Sequence, residues 1–207
     1  DMLAAGVISK SNRDGSLFDY FRNRLMFPIE NQQGLVIAFG ARALGDAQPK
    51  YLNSTEGPTF SKKTILYGLV QAREGLRRKL PLVVGEGYMD VIAIQRSGIA
   101  SAVAPLGTAL TEEQIALLWK LAPEPILCFD GDAAGQRAAA RAAERALPLL
   151  KAGFGLRFAM LPPGEDPDSL VQGKGRAAFD EVLEGATALS ELIWRVESGG
   201  HLPPTPE

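Results

Sequence analysis

The sequence predicts an α/β fold: a parallel sheet flanked by helices, with a small N-terminal α+β subdomain before it and a helical segment after it. Three observations carry this. From Pro81 onward, short apolar runs alternate with stretches of helical periodicity, the pattern of parallel strands joined by right-handed helical crossovers. Several of those runs end in acids, which places carboxylates at one edge of the sheet. Upstream, two strand-like runs flank the loop Asn31-Gln32-Gln33-Gly34, which predicts a hairpin.

Taken in order, residues 1–24 are polar and turn-rich, with Asp14-Gly15 as a turn and Phe18, Tyr20 and Phe21 as an aromatic anchor. Residues 25–29 and 35–39 form the two hairpin strands, and Pro28 confines the first to an edge or a bulge. Residues 40–58, punctuated by Gly45, Pro49, Gly57 and Pro58, read as loop. A helix covers about residues 64–78, with Arg77-Arg78-Lys79 at its C-terminal end, where cations favour the helix dipole.

A strand over residues 82–84 runs into Gly85-Glu86-Gly87 and a helix over 88–96. Residues 101–104 form the next strand. Thr111 and Gln114 make a capping box for a helix with Ile115, Leu118, Trp119 and Ala122 on its apolar face. Residues 125–129 form a strand ending in Asp130-Gly131-Asp132, followed by an Ala-rich helix over about 134–147 in which Pro148 bends the last turn. Residues 156–161 form the last strand, and helices near 174–183 and 188–196 close the chain. Trp119 and Cys128 are expected in the core.

The chain has 207 residues, 46% hydrophobic and 22% charged, an ordinary globular composition. No apolar run reaches the length of a membrane span, and no secretory signal pattern opens the chain. One Cys and one His exclude an internal disulfide and a four-ligand Cys/His zinc site, and suit a reducing cytoplasm. Residues 1–80 carry 12 Lys and Arg against 7 Asp and Glu, and residues 81–207 carry 10 against 17, leaving the net −2. A basic half beside an acidic half suits a polyanion held next to a metal-binding carboxylate cluster. The start at Asp1 and the Pro-rich end read as those of a piece of a longer protein.

The acids carry the chemistry. Glu86, the pair Asp130 and Asp132, and the pair Asp166 and Asp168 follow three strand runs and meet at one edge of the expected sheet. Asp90, one helical turn beyond Glu86, faces the same crevice. Crowded carboxylates repel unless cations sit among them, and hard oxygen donors suit Mg²⁺ or Mn²⁺. Gly131 gives room for a metal and its waters, and Asp132 also stands where a helix N-cap belongs. Such a site acts on phosphates.

Glu86-Gly87-Tyr88-Met89-Asp90, Asp130-Gly131-Asp132-Ala133-Ala134-Gly135 and Glu165-Asp166-Pro167-Asp168 resemble the toprim domain. With the stretches Phe21-Arg22-Asn23-Arg24-Leu25-Met26-Phe27-Pro28-Ile29 and Pro49-Lys50-Tyr51-Leu52-Asn53-Ser54, the resemblance is to bacterial replicative DNA primases and covers almost the whole chain. It implies three parts: residues 1–80 as the remnant of an N-terminal basic subdomain, 81–172 as the toprim catalytic domain, and 173–207 as the start of a helical subdomain.

It also implies roles. Glu86 is the general acid/base acting on the 3′-hydroxyl of the primer. Asp130 and Asp132 hold Mg²⁺ or Mn²⁺, with Glu86, Asp90, Asp166 and Asp168 completing the shell. Arg42, Lys50, Tyr51, Asn53 and Lys62 belong to the nucleotide-binding side, and Arg22 and Arg24 contact template phosphates or pair with Asp19 and Glu30. The implied partners are single-stranded DNA template, ribonucleoside triphosphates and RNA primer, with no membrane. A replicative helicase would be met through a domain absent from this chain, and zinc would be bound only in another absent domain. The implied state is a cytoplasmic monomer at the replication fork. Two alternatives remain: another toprim enzyme, a topoisomerase or nuclease, or a non-catalytic toprim DNA-binding module.

Overall fold

The computed structural model describes residues 2–3, 6–107 and 109–198. The chain divides into two compact units, residues 1–61 and 62–207.

The first unit is built from antiparallel strands. A hairpin pairs β1 (Ile8–Lys10) with β2 (Leu17–Asp19), turning through Gly15 at φ 73°. A three-stranded sheet follows in the order β3-β4-β5, formed by β3 (Arg24–Glu30), β4 (Val36–Ala43) and β5 (Tyr51–Asn53). The Asn31–Gly34 turn is set by Asn31, whose side chain accepts from the amides of Gln33 and Leu35. Pro28 lies on edge strand β3, and the register shifts between Ile29 and Glu30, so the strand has both the edge position and the irregularity that Pro28 demands. The short strands β1 and β2 were not expected, since three residues each carry no clear alternation. Residues 40–43 and 51–53 are strand rather than loop. Pairing with β4, which lies between β3 and β5, supplies hydrogen bonds that local Gly and Pro signals do not reveal.

The second unit has a five-stranded sheet in the order β10-β9-β8-β6-β7. Strands β6 (Leu82–Val84), β7 (Ser101–Val103), β8 (Ile126–Phe129) and β9 (Arg157–Met160) are parallel, as the alternating pattern predicted. The edge strand β10 (Thr187–Ala188), which the sequence pattern does not predict, is antiparallel. Two residues are too few to leave a sequence signal.

Alternate residues of each strand feed two separate cores. Leu82, Val84, Leu127 and Phe158 pack with α1 (Leu69–Arg77), α3 (Glu112–Leu121), α4 (Ala133–Ala146) and α7 (Leu189–Glu197). Val83, Ile126, Cys128 and Ala159 pack with α2 (Tyr88–Ser97), α5 (Pro167–Lys174) and α6 (Arg176–Glu184). The sheet is therefore covered on both faces, which is why its parallel strands are mostly apolar.

Helix α1 begins at Leu69, later than expected, because Gly68 takes φ 79° and ends any earlier helical run. A Cβ at Gly68 would lie 2.6 Å from Val91 Cγ1, so the close approach as well as the dihedral requires glycine. Helix α1 packs against β7, and residues 62–80 lie in the second compact unit. Helix α5 is not among the helices that the sequence pattern predicts. It starts from an Asp166 N-cap with Pro167 at its first position, a standard helix opening. The capping box at Thr111 and Gln114 forms as expected, and a 3₁₀ turn over Leu147–Leu149 takes up Pro148. Trp119 packs against the core and donates to the Gly155 carbonyl at 2.8 Å. No described helix is long and apolar enough to cross a membrane.

Candidate active site at the rim of the parallel sheet

The carboxyl ends of β6, β8 and β9 place Glu86, Asp130 and the Asp166–Asp168 segment on one rim. Glu86 leaves β6 directly. Asp90, on the first turn of α2, folds its carboxylate back so that Oδ2 accepts from the amides of Glu86 and Gly87, at 2.9 Å each. This fixes the turn that presents Glu86. Neither Gly85 nor Gly87, on either side of Glu86, has a left-handed backbone. At Gly85 the requirement is space, since a Cβ would stand 2.9 Å from Asp90 Cβ.

From β8, the Asp130 amide lies 3.4 Å from Glu86 Oε1. Asp132 caps α4, its Oδ1 accepting from Ala134 and Gly135 at 2.8 Å each, so the expected N-cap role holds. Gly131 and Gly135 are demanded by backbone packing. A Cβ at Gly131 would run into the Leu161 carbonyl, and one at Gly135 into the Asp130 carbonyl. The space at Gly131 is thus filled by the β9 exit rather than kept for ligands, which corrects the sequence reading. Asp166 caps α5 through Ser169, at 2.7 Å.

The electrostatics show which acids share the rim. Burial first, then the Asp130 charge, raise the Glu86 pKa, with Asp90 and Asp132 adding to it. Burial raises Asp90 despite its two amide bonds, with Asp166 and Asp130 adding. Asp130 is raised by burial and then by Asp132 and Asp166. Five of the six expected acids therefore feel one another. Asp168 is not among these charges, and its carboxylate accepts instead from Gln172 Nε2 at 2.6 Å. Among the described residues, no three Asp, Glu, His or Cys side chains are gathered into a ready metal cage. Asp90, Asp132 and Asp166 are each turned toward backbone amides at a helix start, which keeps them from closing on a common point.

The donor set still fits a hard divalent cation. The rim offers carboxylate oxygens, and the one thiol nearby, Cys128, is buried, with its pKa pushed up to about 12, so it is no thiolate ligand.

The basic residues expected at the site fall in different places. Lys62 opens the second unit, and its carbonyl, with that of Ile65, is held by the fully buried Gln114 amide at 2.9 and 2.8 Å. Gln114 does more than the capping box requires, and no local signal pointed to that. In the first unit, Arg42 lies in register between Leu25 and Tyr51 on the three-stranded sheet, with the Gly40–Asn53 pair two residues along on the same face. Lys50 is exposed, and its carbonyl accepts from Ala43. Arg22 stacks over Phe18 at 4.8 Å, and Arg24 donates to the Pro49 carbonyl at 2.8 Å, so both serve the fold of this unit. Asn23 holds φ 51° and ties to Leu44 in both directions, a structural role missed in the sequence. Tyr20 and Phe21 form an edge-to-face pair, and the Tyr20 hydroxyl donates to the Asn53 carbonyl.

Comparison with known proteins decides the family. The model described as "DNA primase catalytic core, N-terminal domain" matches residues 1–73, and that of the toprim domain matches residues 81–159. The DNA primase of Pseudomonas aeruginosa is 50% identical over 195 residues, which is 94% of this chain and 29% of the relative. The DNA primase of Pasteurella multocida is 49% identical over 189 residues, 91% of this chain and 32% of the relative. The chain belongs to the DNA primase family. It spans about a third of the length of these curated relatives.

Solved primases have the same fold. A DNA primase domain from Pseudomonas aeruginosa superposes with TM-score 0.90 at 48% identity, covering 99% of this chain and 64% of that one. A DnaG primase catalytic domain bound to single-stranded DNA gives TM-score 0.86 at 45% identity, covering 94% and 63%. Among primases, the first 73 residues match the N-terminal part of the catalytic core, which is the resemblance the two upstream motifs carried.

Proposed function

We propose that the chain carries the catalytic centre for DNA-templated synthesis of RNA primers, joining ribonucleotides by divalent-metal-dependent nucleotidyl transfer. One observation carries the reading: Glu86, Asp90, Asp130, Asp132 and Asp166 share a single rim, where the crowded charges raise the pKa of Glu86, Asp90 and Asp130. Keeping such a group together costs Coulomb energy, and bound cations offset it.

In this reading the primer's 3′-hydroxyl attacks the α-phosphorus of a ribonucleoside triphosphate. A phosphodiester bond forms, the α–β bridging bond breaks, and pyrophosphate leaves. Glu86 takes the hydroxyl proton. Its raised pKa makes it a better base than an ordinary Glu, and it is exposed to substrate. Asp130 and Asp132, with Glu86 beside them, would hold Mg²⁺ or Mn²⁺, which would neutralise phosphate oxygens and lower the hydroxyl pKa. Asp90 positions Glu86 by fixing its turn. Asp166 adds negative charge to the rim, and Asp168 an outer carboxylate.

Arg42, Lys50, Tyr51, Asn53 and Lys62 are proposed contacts to the nucleotide, and Arg22 and Arg24 to template phosphates. Single-stranded DNA is the template class, consistent with the relative solved in complex with it, and the bacterial cytoplasm is the proposed compartment.

The test is extension of a labelled RNA primer on a DNA template by the full-length protein that carries this chain, with Mg²⁺ or Mn²⁺. Elongation supports the proposal, whereas nicking of the DNA without elongation replaces it with a nuclease or topoisomerase. Calorimetric titration with either ion, showing binding lost in Asp130→Asn, tests the site independently.

A further inference from the structure

We propose that the cavity beside Glu86 holds the 3′-terminal nucleotide of the strand being extended, with Arg141 on its phosphate. This rests on the polymerase reading above and names the seat of one substrate.

The cavity has a volume of about 340 Å³, the lower end of the roughly 300–1,000 Å³ typical of small-molecule sites and a fit for one nucleoside. Its lining joins the three chemistries that a nucleotide presents. Leu110, Leu127 and Phe129 make an apolar wall for a base. Glu86 supplies a carboxylate for a ribose hydroxyl, and Arg141 a guanidinium for a phosphate. The walls are tied together: Arg145 donates to the Leu110 carbonyl, joining α4 to the segment after β7. Arg145 is thereby committed to structure. Arg141 is exposed and, among the described residues, takes part in no ion pair or hydrogen bond.

Charge selects the strand terminus over the incoming nucleotide. A triphosphate brings several negative charges and needs several cations, while a phosphodiester brings one, matched by one free guanidinium. Arg137 continues the same helix face one turn away, about 6 Å along the axis, and is also exposed without an ion pair among the described residues. It suits the next phosphate of the same strand.

The experiment uses the full-length protein and fluorescence anisotropy, without turnover. The probes are a labelled RNA primer annealed to DNA template, the unprimed template, and a non-hydrolysable ribonucleoside triphosphate. Arg141→Ala is expected to weaken primer–template binding about tenfold, lower its salt slope by about 1, and leave the other two affinities within about twofold. Arg141→Lys restores part of the loss. Ala138→Phe, which fills the cavity, reproduces it. Loss of triphosphate affinity instead would give the cavity to the incoming nucleotide, and equal loss on unprimed template would put Arg141 on the template. Unchanged binding of all three probes would also overturn the proposal. A parent protein that binds primer–template but does not elongate it contradicts the polymerase reading, while these affinities still decide the occupant.

Discussion

The backbone amide of Asp130 lies 3.4 Å from Glu86 Oε1, although 44 residues separate them in the chain. The contact joins the ends of two neighbouring parallel strands and brings two like charges together. Burial and that repulsion raise the Glu86 pKa above the ordinary 4.5, while burial and the charges of Asp132 and Asp166 raise that of Asp130 above the ordinary 3.8.

A carboxyl with a raised pKa holds its proton more tightly in the folded state. Its contribution is therefore favourable below the ordinary value and is lost as pH rises through the raised one. Asp130→Asn should melt with the parent near pH 3 and above it near pH 8. The gain is about 0.5 kcal/mol after solvent screening, or about 1–2 °C. The same variant should lose metal-dependent extension. Thermal melts across pH in chelator, beside the extension assay, check both; a lower melting temperature near pH 8 would contradict the repulsion argument.

Asp90 accepts two amide hydrogen bonds, from Glu86 and Gly87. Asp90→Ala leaves those amides without their partner and should cost about 1–3 kcal/mol. Because the turn that carries Glu86 loosens, Mg²⁺ affinity should fall as well. Denaturant melts and calorimetry measure the two effects, and a stable variant with full metal affinity would remove Asp90 from its positioning role.

Gly131→Ala should destabilise the protein by about 3 kcal/mol or more, since the new methyl meets the Leu161 carbonyl rather than a movable side chain. Gly87→Ala is the control, because its Cβ would meet nothing within 4 Å. Comparing their melts separates a packing demand at Gly131 from a general need for glycine around the acids.

Gln114 is fully buried and holds the carbonyls of Lys62 and Ile65 while accepting from the Thr111 amide. Gln114→Leu keeps the volume but leaves these groups unpaired, so a loss of about 2–4 kcal/mol is expected. Hydrogen exchange should rise first at the Thr111 amide. Unchanged exchange there would show that the capping box does not depend on the side chain.

The sequence by itself determined the alternation of strands and helices, the capping box at Thr111, and the acids that follow β6, β8 and β9. Each is written in local spacing: apolar runs of strand length, a Thr with Gln three residues on, carboxylates beside glycine. It also carried the family, through motifs whose residues stand in the right order.

Tertiary structure decided the rest, since it depends on which segments meet. Strand β5 and the far half of β4 exist through pairing with neighbours, and β10 adds an antiparallel edge of only two residues. Asp168 turns to Gln172 while Asp166 joins the other acids, a choice that adjacent carboxylates do not reveal. Gly131 yields to the Leu161 carbonyl, and Gln114 reaches back to residues 62 and 65. Local spacing fixes which side chains are available; only the packed sheet sets their distances, and with them the pKa shifts of Glu86, Asp90 and Asp130.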